Sequence, residues 1–390
     1  MKVSIPKEIL ADEHRVAATP KTVAKMVKAG ISVVVESGAG LESCITDEEF
    51  HQAGAEIAVN VESLLNEADV VLKVQPPGLN ESTGTHELDM FQKGATLIGV
   101  LQPLINHDLV TKLAERRITA FSLDCLPRIA RAQAMDVLSS MSTLAGYKSV
   151  LLAANALRSV LPMLTTAAGT LYPAQTLIIG AGVAGLQAVA TAKRLGSVVK
   201  VFDVRPVVKE QVESLGAEFI DMDVDQQQAE DAGGYAKEQS VDVQQKAHEL
   251  IGQHIKQADI VITTALIPGK KAPILINEEM VQTMKIGSVI VDLAAEQGGN
   301  CELSEPGKQI IQHGVTLIGL VNLPSSLAVH GSLMYANNLA NFLLHVYDDQ
   351  QIAVNLEDEI TRQTIITHQG EVLHSGVQEV LGLGKTAETS

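Results

Sequence analysis

The sequence of 390 residues contains no tryptophan, and aromatic residues make up only 3% of it. Proteins that bind single-stranded nucleic acids usually stack bases on aromatic side chains. Positive charge is also scarce, because 29 Lys and Arg residues stand against 46 Asp and Glu residues and give a formal net charge of −17. Such a surface repels phosphate backbones and anionic lipid headgroups. We therefore expect neither nucleic-acid binding nor direct docking onto a membrane.

Cysteine is the next scarce residue, with only Cys44, Cys125 and Cys301 in the chain. The three are far apart and have no metal-type spacing, and the histidines form no ligand pair at helical spacing, so we assign no metal. An odd, low cysteine count fits a reducing compartment. The opening MKVSIPKEIL has no signal-peptide hydrophobic region, which favours a cytoplasmic location.

No charged residue occurs between Ser159 and Ala192, a stretch long enough to suggest a membrane span. However, two prolines and several glycines interrupt this stretch, among them Pro162, Pro173 and Gly169. We interpret it as a helix end, a turn, a buried strand, a glycine loop and a helix start. We therefore expect no direct membrane span.

Hydrophobic residues make up 46% of the chain, enough for a substantial core in two or three domains. Short apolar strands alternate with helical segments, which indicates parallel βαβ units. Two long helical patterns, Ala132–Ala156 and Leu333–Tyr347, are placed to connect domains. We predict an α/β fold with two Rossmann-like, doubly wound parallel-sheet domains joined by long helices, with a cleft between them. The discontinuous N-terminal domain would comprise 1–137 plus 329–390, and the nucleotide-binding domain 138–328.

The strongest local motif lies in TLIIGAGVAGLQAVATAKRLG, where an apolar strand leads into Gly180, Gly182 and Gly185. This is the G-x-G-x-x-G pattern of dinucleotide-binding folds. Gly180 allows the tight strand-to-helix turn, Gly182 lets a pyrophosphate approach the backbone, and Gly185 allows close helix–strand packing. The start of the following helix supplies N–H groups and partial positive charge for phosphate.

The strand after this helix ends at Asp203, about 20 residues beyond the first glycine, where dinucleotide-binding folds place an acid. A carboxylate there accepts hydrogen bonds from ribose hydroxyls and repels a 2′-phosphate. Arg205 complicates this interpretation, since arginine can bind a 2′-phosphate. The pattern nevertheless favours NAD over NADP.

Several segments carry a resemblance over nearly the whole chain. PKEILADEHRVAATP, VVLKVQPP and the glycine segment resemble the family shared by alanine dehydrogenase and the NAD(H)-binding component of proton-translocating NAD(P)+ transhydrogenase. RIARAQAMDVLSSMSTLAGY, TTAAGTLYPAQ, AGGYAKE, TTALIPGKKAP and DLAAEQGGN resemble the transhydrogenase branch. Arg15 and Lys73 match the substrate-binding Arg and Lys of alanine dehydrogenases. Where those enzymes have a catalytic His, this chain has Gln102, which cannot act as a general acid or base near neutral pH.

The resemblance implies the roles of individual residues. Asp136 and Ser139 would hold the nicotinamide carboxamide with Arg128 beside it, and Gln133 would reach the nucleotide of a partner component. Asp136 and Ser139 also suit the first turn of a helix, which is the structural alternative. A long connection containing Gly234 and Tyr235 would form a lid over the nucleotide. The further NAD(H) contacts that we expect are Gly180, Gly182, Val183, Ala184, Gly185, Asp203, Val204, Arg205, Thr264, Ala265, Leu266 and Gln297.

The resemblance also implies an assembly. The chain would be the NAD(H)-binding subunit of a proton-translocating, Si/Re-specific NAD(P)+ transhydrogenase, incomplete without a membrane proton-channel component and an NADP(H)-binding component. A homodimer attached peripherally to the cytoplasmic membrane through these partners is expected. Two alternatives stay open: an amino-acid dehydrogenase of the alanine dehydrogenase type, and a non-catalytic NAD-sensing module.

Overall fold

A computed structural model describes residues 1–222, 241–266 and 271–383. Contacts divide the chain into two compact units. Unit 1 comprises Met1–Met141 and Ser325–Ser390, and unit 2 comprises Ser142–Pro324. One boundary falls inside a long helix, and the other lies just before a second long helix. In the residues that the structure describes, no helix is both long and apolar enough to cross a membrane.

The N-terminal portion of unit 1 alternates strands and helices, as the sequence pattern predicts. Its strands are β1 (Lys2–Ile5), β2 (Ser32–Glu36), β3 (Glu56–Ala58), β4 (Val70–Leu72), β5 (Leu79–Asn80), β6 (Thr85–His86), β7 (Thr96–Gly99) and β8 (Thr119–Ser122). Its helices are α1 (Pro20–Lys28), α2 (Asp47–Gln52), α3 (Val61–Asn66), α4 (Glu87–Met90) and α5 (His107–Glu115).

Helix α6 (Val137–Ala156) crosses into unit 2. The strands there are β9 (Leu164–Thr166), β10 (Gly169–Leu171), β11 (Gln175–Ile179), β12 (Val198–Phe202), β13 (Glu218–Ile220), β14 (Ile260–Thr263), β15 (Val289–Asp292), β16 (Gln309–Gln312) and β17 (Val315–Ile318). The helices are α7 (Val183–Arg194), α8 (Lys209–Ser214), α9 (Val241–Ile255) and α10 (Glu278–Gln282). The return to unit 1 adds α11 (Ala328–Val346), β18 (Tyr347–Asp348), β19 (Gln351–Ile352), α12 (Glu359–Thr364), β20 (Ile365–His368), β21 (Glu371–Val372) and α13 (Ser375–Val380).

Both main sheets have the strand order of doubly wound folds. The order is β21-β20-β8-β7-β4-β1-β2-β3 in unit 1 and β13-β12-β11-β14-β15-β17-β16 in unit 2. Pairing is parallel except at one edge of each sheet, where β20, β21 and β16 run antiparallel to their neighbours. In each sheet the chain starts in the middle, builds outward to one side, and then returns to build the other side. The order therefore reverses next to β1 and next to β11, and ligands bind at such switch points in open α/β sheets.

Each sheet is buried on both faces, because successive strand residues point to opposite sides. In β7, Leu97 and Ile98 enter different core clusters of unit 1. In β11, Leu177 and Ile178 do the same in unit 2. This explains why the strands read as continuous apolar runs rather than as alternating patterns. The α/β fold class predicted from the sequence is confirmed.

The start of the first long helix differs from the expectation. The pattern predicts a helix from Ala132, but the structure has a 3₁₀ helix, Ala130–Met135, and α6 begins only at Val137. Asp136 separates them with an extended ψ of 92°. Its carboxylate accepts a hydrogen bond from the backbone N–H of Ser139 at 2.9 Å, which caps the new helix. Hydrophobic periodicity continues through this change, so the pattern alone does not reveal it.

Candidate functional site

The glycine loop of unit 2 joins β11 to α7, and contacts require glycine at two of its positions. Gly180 has a φ of +100°, and a Cβ there would lie 2.5 Å from Thr264 Oγ1. A Cβ on Gly185 would lie 1.9 Å from the carbonyl oxygen of Gly180. Both substitutions would force the loop apart. The first and third glycines thus have the conformational and packing roles that the sequence motif predicts.

Gly182 differs, because no neighbour requires a glycine at this position. Its φ is −75°, and a Cβ would meet no atom within 4 Å. Gly182 is the N-cap of α7 and, lacking a side chain, leaves the helix start without a side-chain cap. Val183 and Ala184 form the first turn of this helix. Open space beside backbone N–H groups and a helix dipole fits the pyrophosphate of a dinucleotide.

Asp203 lies directly after β12 and is almost fully buried. Its Oδ2 accepts a hydrogen bond from the Ala181 N–H at 2.7 Å, which ties the strand end to the glycine loop. Arg205 donates to the same carboxylate from its backbone and its guanidinium. Val204 lies between the two. The acid is thus next to the glycine loop, where a ribose acceptor would be, and it has an internal cation as a partner that the motif does not reveal.

Thr264, Ala265 and Leu266 follow β14, and the first two lie beside Gly180 of the glycine loop. The Thr264 Oγ1 donates to the carbonyl oxygen of Gly180 at 3.1 Å. Asn300 is fully buried and holds Ala265 through two hydrogen bonds. Its side chain accepts from the Ala265 N–H at 3.0 Å and donates to the Ala265 carbonyl at 2.8 Å. These contacts hold the segment in place at the carboxyl edge of the sheet.

Asn300 is in turn positioned by Asp292, the last residue of β15. The buried carboxylate of Asp292 accepts from the backbone N–H groups of Asn300 and Cys301 at 2.9 and 3.0 Å, and from the Thr263 hydroxyl at 3.0 Å. The sequence did not reveal Asp292 or Asn300 as supports of the site. Asn300 lies 35 residues from Ala265, a separation that no motif marks, and Asp292 acts through Asn300. Gln297, in the same loop, is exposed at the end of a 3₁₀ helix.

Gly234 and Tyr235, expected to form a lid, lie outside the described residues. In the described ranges, no group of three or more His, Cys, Asp or Glu side chains is arranged to hold a metal ion. The predicted residues of unit 2 that the structure brings together are Gly180, Gly182, Val183, Ala184, Gly185, Asp203, Val204, Arg205, Thr264 and Ala265.

The predicted nicotinamide residues belong to unit 1 and form one continuous segment around the start of α6. Arg128 and Gln133 are exposed, and Asp136 and Ser139 are half-buried. The Ser139 hydroxyl donates to Asp136 Oδ2 at 2.5 Å in addition to the backbone cap. Asp136 and Ser139 therefore form the start of helix α6, which is the structural alternative to a nicotinamide-binding role. The same hydrogen bonds fix the orientation of both side chains.

The 3₁₀ helix that carries Gln133 is held at two points. The side-chain amides of Asn338 and Asn341, both on α11, donate to the carbonyl oxygen of Ala134 at 3.0 and 2.8 Å. Arg131 forms an ion pair with Asp358 at 2.5 Å. Sequence analysis missed these asparagines because their partner is about 200 residues away in the chain. Gln133 is thus an exposed side chain on an anchored backbone.

Unit 1 also contains a buried charged cluster. Lys73 is completely buried and contacts Glu87 at 2.9 Å and Glu8 at 3.3 Å. Arg15 makes paired hydrogen bonds to Glu13 at 2.5 and 2.7 Å. Burial alone would lower the pKa of Lys73, but the two carboxylates outweigh it, so the pKa is raised and the ammonium stays charged. Both cations that match the alanine dehydrogenase pattern are neutralised by the chain itself.

At Glu8 of the same cluster, the effect of burial on the pKa outweighs the effects of the neighbouring groups. Burial raises the pKa of its carboxyl group, although Lys73 and the N–H of Val74 act against the shift. Gln102, in the position of the alanine dehydrogenase His, is exposed and has a φ of +51°. Carboxylates of the chain thus neutralise Arg15 and Lys73, and the sequence position of the alanine dehydrogenase His holds an exposed amide.

Known protein families match nearly the whole chain. The alanine dehydrogenase/PNT N-terminal domain matches residues 4–145, and the C-terminal domain of the same family matches residues 149–375. A protein of Rhodospirillum rubrum, named as the first portion of NAD(P) transhydrogenase subunit alpha, is 50% identical over 377 residues. The matched region covers 96% of this chain and 98% of that protein.

Two solved structures are similar along nearly the whole chain. The crystal structure of transhydrogenase from Sinorhizobium meliloti has a TM-score of 0.85 at 44% identity and covers 95% of this chain and 100% of that one. An L-alanine dehydrogenase has a TM-score of 0.82 at 26% identity and covers 98% and 99%. The chain therefore belongs to the alanine dehydrogenase/PNT family, and its similarity to NAD(P) transhydrogenase subunit alpha supports an NAD(H)-binding role as a transhydrogenase component.

Proposed function

We propose that this chain binds NAD(H) at the glycine loop of unit 2 and presents it for direct hydride transfer to NADP+ held by a partner component. The observation that carries the proposal is the open space at Gly182 beside the start of α7, with Asp203 at the end of the next strand. The helix start would bind the pyrophosphate, and Asp203 would accept hydrogen bonds from the adenosine ribose.

Transfer between two nicotinamides needs no proton donor, so alignment is most of what the protein can contribute. We assign the orienting role to Asp136 and Ser139, which would hold the carboxamide, with Arg128 beside them. Gln133 would contact the partner's nucleotide. The exposure of Gln133 and the two anchors on its 3₁₀ helix support this division of roles.

The alanine dehydrogenase alternative is less well supported. An incoming carboxylate substrate would have to compete with Glu13 for Arg15 and with Glu8 and Glu87 for Lys73. Displacing them would leave buried carboxylates without the cation that neutralises them, which is costly. Gln102 cannot exchange the proton that amine oxidation requires. The NAD-sensing alternative shares the nucleotide site and differs only in the absence of transfer.

The partners follow from the same proposal. An NADP(H)-binding component would supply the hydride acceptor, and a membrane proton-channel component would couple transfer to proton translocation. The enzyme would then be the proton-translocating, Si/Re-specific type of transhydrogenase. The chain would lie on the cytoplasmic face of the inner membrane through these partners. Its similarity to a protein named as a portion of a subunit supports the need for other components.

We further propose a homodimer that uses the β9–β10 hairpin of unit 2. All six residues of these two strands are exposed. Apolar side chains continue beyond them, since Met163 and Tyr172 are 62% and 81% exposed. An isolated two-stranded hairpin is marginally stable in water, and exposed apolar patches commonly mark interaction sites. A second copy would cover this surface.

The test combines NADH binding with transfer. Gln133→Asn shortens the side chain by one methylene and should leave NADH affinity of the isolated chain unchanged. After the NADP(H) component is added, single-turnover transfer should slow on the order of a hundredfold, because a misplacement of about 1 Å has effects of this size. Gln52→Asn, a change at another exposed glutamine of unit 1, is the matched control.

Each result has a distinct meaning. Wild-type transfer by Gln133→Asn would show that Gln133 does not set the geometry. A collapse of NADH affinity would instead place Gln133 in the primary pocket. Alanine oxidation by the chain alone would favour the dehydrogenase, and NADH binding without transfer under any condition would favour the sensor.

A further inference from the structure

Both carboxylate oxygens of Asp203 already accept as many hydrogen bonds as they can in this structure. Its Oδ2 accepts from the Ala181 N–H at 2.7 Å and from Arg205 Nη2 at 2.8 Å. Its Oδ1 accepts from the backbone N–H of Arg205 at 2.8 Å and from Arg205 Nε at 2.9 Å. An ionised carboxylate offers about four lone-pair sites, so two donors on each oxygen fill it.

The pair is well shielded from solvent. The side chains of Arg205 and Asp203 are 11% and 5% exposed. Two parallel N–H···O bonds from a planar guanidinium form the strong, bidentate geometry of arginine–carboxylate pairs. The backbone N–H of Arg205 adds a third contact within two residues, which keeps the guanidinium close to the carboxylate. This pair is unlike the exposed ion pairs elsewhere in unit 2, such as Lys200 with Glu218.

Ribose hydroxyls therefore cannot bind Asp203 while Arg205 keeps both side-chain contacts. The two backbone donors belong to the glycine loop and the strand end, and displacing either would disturb the loop itself. The guanidinium is the donor that can move, because side-chain torsions alone carry it away. While it remains, it also neutralises the charge that would repel a 2′-phosphate.

We propose that Arg205 is a specificity-determining residue that masks Asp203, so that it weakens NADH binding and reduces the discrimination against NADPH. The inference rests on the proposed NAD(H) site. Removing the guanidinium should free two acceptor positions for the ribose and expose the negative charge to a 2′-phosphate. The affinities for the two nucleotides should therefore move in opposite directions.

The experiment is a fluorescence titration of the full-length chain with NADH and with NADPH. Arg205→Met retains an unbranched side chain without the guanidinium and should tighten NADH binding about tenfold, equivalent to about 1.4 kcal/mol. NADPH binding should weaken, so the affinity ratio should rise more than tenfold. Arg205→Lys retains the charge without the planar fork and should give an intermediate ratio. Lys200→Met removes the same charge from an exposed pair and should leave both affinities unchanged.

A thermal shift keeps the test informative if Arg205→Met is less stable. Without its cation, Asp203 should destabilise the chain, and NADH should then raise the melting temperature more in the variant than in the wild type. Equal or weaker NADH binding by the folded variant would overturn the masking role and make Arg205 a nucleotide ligand. A wild-type chain that does not bind NADH would instead refute the proposed function itself.

Discussion

The candidate functional residues of the two units lie in different electrostatic surroundings. Unit 1 buries Arg15 and Lys73 and neutralises both with glutamates of its own. Unit 2 places glycine at the strand-to-helix turn and keeps backbone N–H groups beside open space at Gly182. A buried cation with a resident carboxylate cannot recruit an external anion without depriving that carboxylate of its neutralising charge, whereas a helix start can. The two cations that match the substrate site of alanine dehydrogenases are therefore already neutralised in this chain.

Removing one cation of the buried cluster should have the largest effect. Lys73→Met removes the cation that neutralises Glu8 and Glu87 and should lower the free energy of unfolding by about 3–5 kcal/mol. Urea unfolding followed by circular dichroism measures this loss. Lys112→Met breaks an exposed pair with Asp89 and should cost about 1 kcal/mol or less. A loss below about 1 kcal/mol for Lys73→Met would mean that the buried glutamates do not depend on Lys73 to neutralise their charge.

A substitution in the glycine loop should have the opposite result, because it should weaken NADH binding much more than it lowers the free energy of unfolding. Gly182→Val introduces a side chain into open space at a φ of −75°, so the free energy of unfolding should fall by no more than about 1 kcal/mol, the cost of a poorer N-cap residue. The same side chain would block the pyrophosphate and should weaken NADH binding about a hundredfold, equivalent to about 2.8 kcal/mol. Gly252→Ala, in a helix of the same unit, is the control. Unchanged NADH affinity in Gly182→Val would remove the loop from the site.

A smaller effect is expected at Asp358, the carboxylate that anchors the 3₁₀ helix of unit 1. Burial opposes its ionisation, but hydrogen bonds from His345, Thr361 and Arg131 outweigh burial and hold its pKa well below the usual range. A carboxyl group whose pKa is lower in the folded chain than in the unfolded chain stabilises the fold at a pH above its unfolded pKa of about 4. This stabilisation is lost as the pH falls through the pKa of the folded chain. Asp358→Asn should therefore cost about 1 kcal/mol at pH 7 and less as the pH falls below about 4. A cost that does not change with pH would assign the effect to packing.

The sequence predicted best what is local. The glycine motif, the strand before it and Asp203 lie within about 30 residues, and their geometry follows from short-range rules. The predicted start of α6 was wrong because apolar periodicity continues through the 3₁₀ helix before it. The β9–β10 hairpin was not predicted, since none of its residues is buried and no alternating pattern marks it.

The supporting contacts could not be predicted because their partners are distant in the sequence. Asn300 holds Ala265, and Asn338 holds Ala134, through tertiary contacts that no single motif encodes. The pairing of Asp203 with Arg205 spans only two residues, but Arg205 could equally have faced a 2′-phosphate. Only the positions of the side chains show whether the Arg205 guanidinium faces Asp203 or the place of a 2′-phosphate.

The proposed nucleotide site of unit 2 depends on Asp203 facing the adenosine ribose. A titration of the wild-type chain with NADH and NADPH, at equal ionic strength, tests it most directly. We expect NADH to bind at least about tenfold more tightly than NADPH, a difference of about 1.4 kcal/mol or more. Asp203→Ala should remove most of this difference, since the variant lacks both the ribose acceptor and the negative charge. Equal affinities of the wild-type chain for the two nucleotides, with no gain in discrimination in Arg205→Met, would show that Asp203 does not face the ribose.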